Sequence, residues 1–220
     1  MIRHVIFDLD GTLVDSCEVC VSILTGMIGD RGVKHAIDPV EARLHMSSGG
    51  AEMVSALLGP ARRHFANDLV DFRARYARHV TKRDSLFPGV AAGLERLHRA
   101  GLRLAICSNK PQNLCEKVLA DTGLAQYFEV VVGGQPGLRP KPEPDLLRAV
   151  TDRLGCAPHE AVFVGDSELD HAVARDAGMA FYLMTYGYAD PEWDPGQSAC
   201  FDCFATFTDA LSERIGSVHA

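Results

Sequence analysis

The chain has 220 residues, 47% of them hydrophobic and 23% charged, with a formal net charge of −7. That length holds one large domain or a core with a modest insertion, and the balance is ordinary for a folded globular protein. The negative charge argues against nucleic acid or an anionic membrane surface as the main partner, and no apolar run approaches the roughly 20 residues that span a bilayer. The N-terminus enters a strand pattern at once, without the basic and apolar regions of a signal peptide, so the expected compartment is the cytoplasm.

In chain order, a first strand is predicted over 5–8. From Asp15 to about Arg83 only helical periodicity is visible, broken at Ser48-Gly49-Gly50 and Gly59-Pro60. This predicts an all-helical insertion over 16–82 in a core made of 1–15 and 83–220. The insertion carries nine Lys/Arg against seven Asp/Glu, leaving thirteen basic and twenty-two acidic residues elsewhere. A mildly cationic cover over an acidic floor suits an anionic substrate, although most of these arginines can equally be solvating outer helix faces. Beyond the insertion, helices are predicted over 90–100, 111–121, 143–155 and 168–177. They alternate with strands over 103–108, 128–132, 161–165 and 180–184, and a last strand and helix run from about Cys200 to Ile215. Pro111 is placed in the first turn of its helix, where a missing N–H costs nothing. Short, almost continuously apolar strands alternating with helices give an α/β fold with a parallel sheet covered on both faces.

The seven cysteines include two CxxC spacings, Cys17/Cys20 and Cys200/Cys203. Two such pairs can bind zinc and one can be redox-active, but nothing around them resembles a zinc ribbon. Reduced, mostly buried thiols are the reading adopted, with Cys107 and Cys156 as core positions. Tyr186, Tyr188 and Trp193 are read as aromatic packing rather than a partner surface.

Chemistry concentrates where strands end. Asp8 and Asp10 stand two apart, so in an extended segment they point the same way. Two close carboxylates repel, which predicts a divalent metal, an acid–base pair, or both. Gly11 permits a sharp turn that brings amide N–H groups towards an anion. The second strand is followed by Ser108, Asn109 and Lys110, the third by Lys141 between prolines, and the fourth by Gly165-Asp166-Ser167-Glu168-Leu169-Asp170. In parallel α/β sheets, ligands bind at the carboxyl ends of strands. Each group has a use in phosphoryl transfer. Asp8 and Asp166 can hold Mg²⁺ with the Asp10 carbonyl, Ser108 and Lys141 can hold phosphoryl oxygens, and Asp170 can bind a metal-bound water. Taken singly, the same residues also read as a turn, an N-cap, a solvated loop lysine and an acidic helix start.

In order along the chain, Asp8-x-Asp10-Gly11-Thr12, Ser108, Lys141 and Gly165-Asp166-x-x-x-Asp170 closely resemble the four motifs of the haloacid dehalogenase-like hydrolase superfamily. The resemblance implies a Rossmann-like, doubly wound sheet with a helical cap of the C1 type. It implies that Asp8 is a nucleophile forming an aspartyl-phosphate and that Asp10 is general acid and then base. It further implies Mg²⁺ held by Asp8, Asp10, Asp166 and Asp170, and a phosphate site drawn from Gly11, Thr12, Ser108 and Asn109. The second aspartate at position 10 sets the chain apart from the dehalogenase branch.

Ser108-Asn109-Lys110-Pro111, Gly133-Gly134, Lys141-Pro142-x-Pro144-Asp145 and Thr185-Tyr186-Gly187-Tyr188 are similar to phosphoglycolate phosphatase-like members. The cap departs from that group: Ser47 replaces the first glycine of its loop, in Arg43-Leu-His-Met-Ser47-Ser48-Gly49-Gly50. That loop, with Ser48 and Gly49, is expected to face the leaving group, and Arg43 either binds the substrate or braces the loop. The expectation is a Mg²⁺-dependent phosphatase acting on a small phosphorylated metabolite, as a monomer or homodimer. The alternatives are a phosphomutase with the same core and an inactive binding or regulatory homologue.

Overall fold

The computed structural model describes residues 1–216. Its sheet has six strands: β1 (His4–Phe7), β2 (Arg103–Pro111), β3 (Phe128–Gly134), β4 (Ala161–Gly165), β5 (Ala180–Met184) and β6 (Ala199–Phe201). All neighbours are parallel, in the order β3-β2-β1-β4-β5-β6. The chain winds outward from β1 to β3, then crosses to β4 and winds the other way. The order therefore reverses between β1 and β4, where such sheets bind ligands.

Alternation within the strands explains the two covered faces. Val5, Phe7, Leu104, Ile106, Val162 and Val164 pack into one apolar cluster, and Ile6, Ala105, Cys107, Ala161 and Phe163 into the other. On the first face Phe7 meets Phe204 and Phe207, at ring separations of 5.9 and 6.1 Å. Those two rings come from α9 (Phe204–Gly216), which packs beside α5 (Val90–Arg99). On the other face lie α7 (Asp145–Leu154) and α8 (Glu168–Asp176), through Leu146, Val150, Val173 and Ala174.

Residues 17–78 contain only helices: α1 (Cys17–Asp30), α2 (Pro39–Leu44), α3 (Gly50–Leu58) and α4 (Phe65–Arg78), with a short 3-10 turn at Gly59–Ala61. Their apolar faces join the first cluster through Leu24, Met27, Leu58, Phe72 and Tyr76. Arg31 is held inside this unit by Asp68 at 2.9 Å. Two linkers tie the unit to the sheet side by side. Asp15 N–H donates to the Ser85 carbonyl at 2.8 Å and Phe87 N–H to that of Leu13 at 3.1 Å.

One expected boundary is corrected. Pro111 ends β2, paired with Gly134, and α6 (Gln112–Thr122) starts after it. A proline disfavours helical geometry in the residue before it, so Lys110 stays extended and the strand runs on. All seven cysteines are free. Cys17, Cys20, Cys107 and Cys115 are buried, whereas Cys156 is only half-buried and Cys200 is exposed. Among the described residues no helix is long and apolar enough to cross a membrane.

Candidate active site

Asp8 follows the last residue of β1, and its N–H donates to the Val164 carbonyl at 2.9 Å, fixing it beside β4. The chain then closes a tight loop. The Leu13 and Val14 amides both donate to the Leu9 carbonyl at 3.0 Å, and Gly11 N–H donates to Val14 at 2.9 Å. Gly11 adopts φ +83°, a left-handed conformation that a side chain resists. Space is a second constraint there: a Cβ on Gly11 would lie 2.1 Å from Asp166 Oδ2, and one on Gly187 would lie 2.2 Å from Asp166 Cβ. The two glycines form the cradle in which Asp166 sits.

Asp166 is held inside it by two donors, the Thr12 hydroxyl at 2.7 Å and the Tyr188 amide at 2.8 Å. Asp170, one turn on, is fully buried and faces the same way. Its Oδ2 accepts from the amides of Asp166 and Ser167 at 3.2 and 3.1 Å and from the Ser167 hydroxyl at 2.7 Å. This caps α8 in the manner of a capping box. Its Oδ1 receives Lys141 Nζ at 2.5 Å, and the same ammonium lies 3.1 Å from Asp8 Oδ2.

Lys141 reaches this position because Asn109 clamps its backbone. Asn109 Oδ1 accepts from the Lys141 amide at 2.7 Å, and its Nδ2 donates to the Lys141 carbonyl at 3.1 Å. Asp10 Oδ1 and Oδ2 each receive Lys110 Nζ at 3.0 Å. Four carboxyl groups thus meet two ammonium groups in a largely buried site. Burial pushes the Asp8 carboxyl up to about 6, against the pull of Lys141 and with a further push from Asp170. Burial, then the charges of Asp170 and Asp8, raise Asp166 well above the usual carboxylate range. Carboxylate oxygens of Asp8, Asp166 and Asp170 all lie within 4.8 Å of one another. A hard divalent cation fits this surplus of oxygen and charge. Since Lys141, Ser167 and two amides already occupy Asp170, Asp8 and Asp166 are the carboxylates left for direct ligation.

These groups floor a cavity of about 130 Å³, with Ser108 beside Asp8. Met46, Ser47, Gly49, Met53, Phe72 and Tyr76 supply the roof, all from the helical unit. Gly49 is therefore at the cavity, as expected, but its neighbour Ser48 is exposed and does not line it. Arg43 does not line it either. Its guanidinium donates to Asp15 Oδ2 at 2.8 Å and to the Tyr186 carbonyl at 3.0 Å, and lies 4.9 Å from the Tyr188 ring centroid. Of the two uses open to Arg43, bracing is the one this geometry displays. The Thr12 hydroxyl likewise serves Asp166, whereas Asn109 clamps Lys141 and also lines the cavity. Tyr186 and Tyr188 pack within the core as read, and Tyr188 also orders the site through Asp15 and Asp166. Lys110, Tyr76 and Gly187 carry no predicted role. For Lys110 a signal existed: it stands two residues from Ser108 in an extended segment, hence on the same face.

The haloacid dehalogenase-like hydrolase family model matches residues 5–184. The plasmid phosphoglycolate phosphatase of Cupriavidus necator is 39% identical over 191 residues, covering 85% of this chain and 82% of that protein. The phosphoglycolate phosphatase of Rhodospirillum rubrum is 35% identical over 236 residues, covering 100% and 98%. Among solved structures, a predicted phosphoglycolate phosphatase from Haemophilus somnus superposes with a TM-score of 0.79 at 26% identity, over 96% of this chain and 98% of that one. CbbY from Rhodobacter sphaeroides in complex with phosphate gives 0.73 at 25% identity, over 93% and 96%. The chain belongs to the haloacid dehalogenase-like hydrolase family.

Proposed function

We propose that this hydrolase is a cytoplasmic phosphatase that cleaves a small phosphomonoester, with phosphoglycolate as the first substrate to test. The observation that carries the reading is the meeting of Asp8, Asp10, Lys141, Asp166 and Asp170 at the point where the strand order reverses, under a small roofed cavity. Its similarity to phosphoglycolate phosphatases over 85–100% of its length supports the substrate class. Seven unpaired cysteines suit a reducing compartment.

Asp8 attacks phosphorus as the bond from phosphorus to the ester oxygen breaks. The leaving oxygen takes the proton of Asp10, so an alcohol departs and an aspartyl-phosphate remains. A water then gives its proton to Asp10 as its oxygen attacks phosphorus. The bond to Asp8 breaks, phosphate leaves, and the Asp8 carboxylate is restored. Lys141 and Ser108 stabilise the oxygens around phosphorus. Mg²⁺ held by Asp8, Asp166 and the Asp10 carbonyl would supply the positive charge that the buried carboxylates and the phosphoryl group lack. Residues 16–82 would act as a lid, turning on the paired linkers near Asp15 and Ser85 and excluding water while the ester is bound.

Phosphate release from phosphoglycolate, hexose phosphates, amino-sugar phosphates, nucleotides and pyrophosphate, with Mg²⁺ and with chelator, tests this. The expected result is rapid release from one small ester, abolished by chelator. Release from none, or release that persists without metal, would overturn it.

A further inference from the structure

The Asp10 side of the cavity holds polar groups that the two chemical steps do not use. The Lys110 side chain is only 7% exposed and meets both oxygens of Asp10. Burial opposes its charge, which Asp10 and its other neighbours together more than offset, so the ammonium is retained. The Tyr76 ring of α4 covers it, with Nζ 4.0 Å from the ring centroid. The ammonium thus lies over the ring face and close enough to act on the Tyr76 hydroxyl, which makes no hydrogen bond of good geometry. Ser16 Oγ is buried beside the Tyr188 hydroxyl and likewise makes no hydrogen bond of good geometry, and both residues line this cavity. They account for two of the four such atoms among the described residues. Buried hydroxyls normally find partners, so two around one cavity mark a place where a bound molecule supplies them.

Met53, Phe72 and Leu114 add apolar wall, and Arg73, an exposed residue of α4, also lines the cavity. An anion entering here needs a cation. Lys141 is shared between Asp8 and Asp170, whereas the ion-pair partner of Lys110 is Asp10. In the proposed reaction Asp10 must turn to the leaving oxygen, which requires that pair to open.

We propose that Lys110, with the hydroxyls of Tyr76 and Ser16, forms a subsite for a carboxylate on the leaving group, and that Lys110 exchanges Asp10 for that carboxylate as substrate binds. This deepens the phosphatase reading and rests on it. A substrate that brings its own anion thereby frees Asp10, and a neutral ester of the same size does not. Because Tyr76 comes from α4 in the roof, the subsite is complete only when the roof is in place.

The test compares kcat/KM for phosphoglycolate and for 2-hydroxyethyl phosphate, which replaces the carboxylate by an alcohol on the same skeleton. Both esters are measured with Mg²⁺ for the wild type, Lys110→Met and Tyr76→Phe. The wild type should prefer phosphoglycolate. Lys110→Met should lower the ratio by about 10-fold or more, chiefly through KM for the acid, and Tyr76→Phe by about 5-fold. A wild type without preference, or variants that slow both esters equally, would overturn the subsite and leave Lys110 merely steadying Asp10. Circular dichroism establishes folding. If Lys110→Met does not fold, Tyr76→Phe decides, since it removes one oxygen that makes no hydrogen bond of good geometry in the free protein. Release from another ester of the panel but from neither of these would overturn the carboxylate subsite alone, whereas release from no ester of the panel would defeat the phosphatase reading itself.

Discussion

Replacing Asp8 by Asn should make the metal-free protein more stable at pH 8 even though it removes the nucleophile. The Asp8 side chain is 13% exposed, and its carboxyl is raised from 3.8 to about 6 because burial and Asp170 outweigh Lys141. A folded-state pKa above the unfolded value means that the folded protein holds this proton more tightly. The associated stability is complete below about pH 3.8 and is lost as pH rises through about 6. About two pKa units at about 1.4 kcal/mol each give a cost of ionisation near 3 kcal/mol at pH 8. Asparagine mimics the protonated acid and escapes it. For a chain of this length, about 3 kcal/mol corresponds to a rise in Tm of about 6–12 °C. Scanning calorimetry in chelator at pH 8, 5 and 4 should show that gain roughly halved at pH 5 and nearly gone at pH 4. An Asp8→Asn protein that melts at or below the wild type at pH 8, or a gain that ignores pH, would refute the electrostatic argument.

Lys141→Met leaves Asp8 and Asp170 facing each other without their shared ammonium. Urea titration of the chelated protein at pH 8 should show a loss of about 3–5 kcal/mol, and phosphate release should fall by at least about 100-fold. Gly187→Ala puts a Cβ 2.2 Å from that of Asp166, so the carboxylate must shift. The Mg²⁺ concentration needed to stabilise the variant in thermal melts should rise by about 10-fold or more. Arg43→Gln loses a pair whose side chains are 36% and 32% exposed, so its Tm should drop by no more than about 3 °C. KM for phosphoglycolate should then change by less than about 3-fold, whereas a 10-fold rise would mean that Arg43 grips substrate.

The floor of the candidate site was legible because its residues sit where short apolar strands stop. Asp8, Lys141 and Asp166 follow β1, β3 and β4, although Asp8 and Asp10 reach the cavity from the tight loop after β1 and not from the extended strand that parity assumed. The parallel sheet covered on both faces was legible too, since strands buried on both faces leave continuous apolar runs, whereas its double winding came only from the resemblance. Roles that depend on contacts between distant segments were not legible. Asn109 reads as a phosphate ligand in isolation, yet it clamps Lys141, 32 residues away. Thr12 turns its hydroxyl to Asp166, 154 residues on. Tyr76 reads only as one apolar position of α4 until that helix is laid over Lys110. Arg43 carried two readings because its partners, Asp15 and the Tyr186 carbonyl, come from a linker and from the far end of β5.

The most direct test of the account is to trap the covalent intermediate. The wild type, turning over phosphoglycolate with Mg²⁺, is quenched in acid and reduced with borohydride beside an Asp10→Asn variant, which lacks both the acid of the first step and the base of the second, and the peptides of both are weighed. An acyl phosphate at Asp8 would be reduced to homoserine at that position and nowhere else, which is the predicted result. Phosphate release by the wild type with no such conversion at Asp8 in either protein would contradict the mechanism.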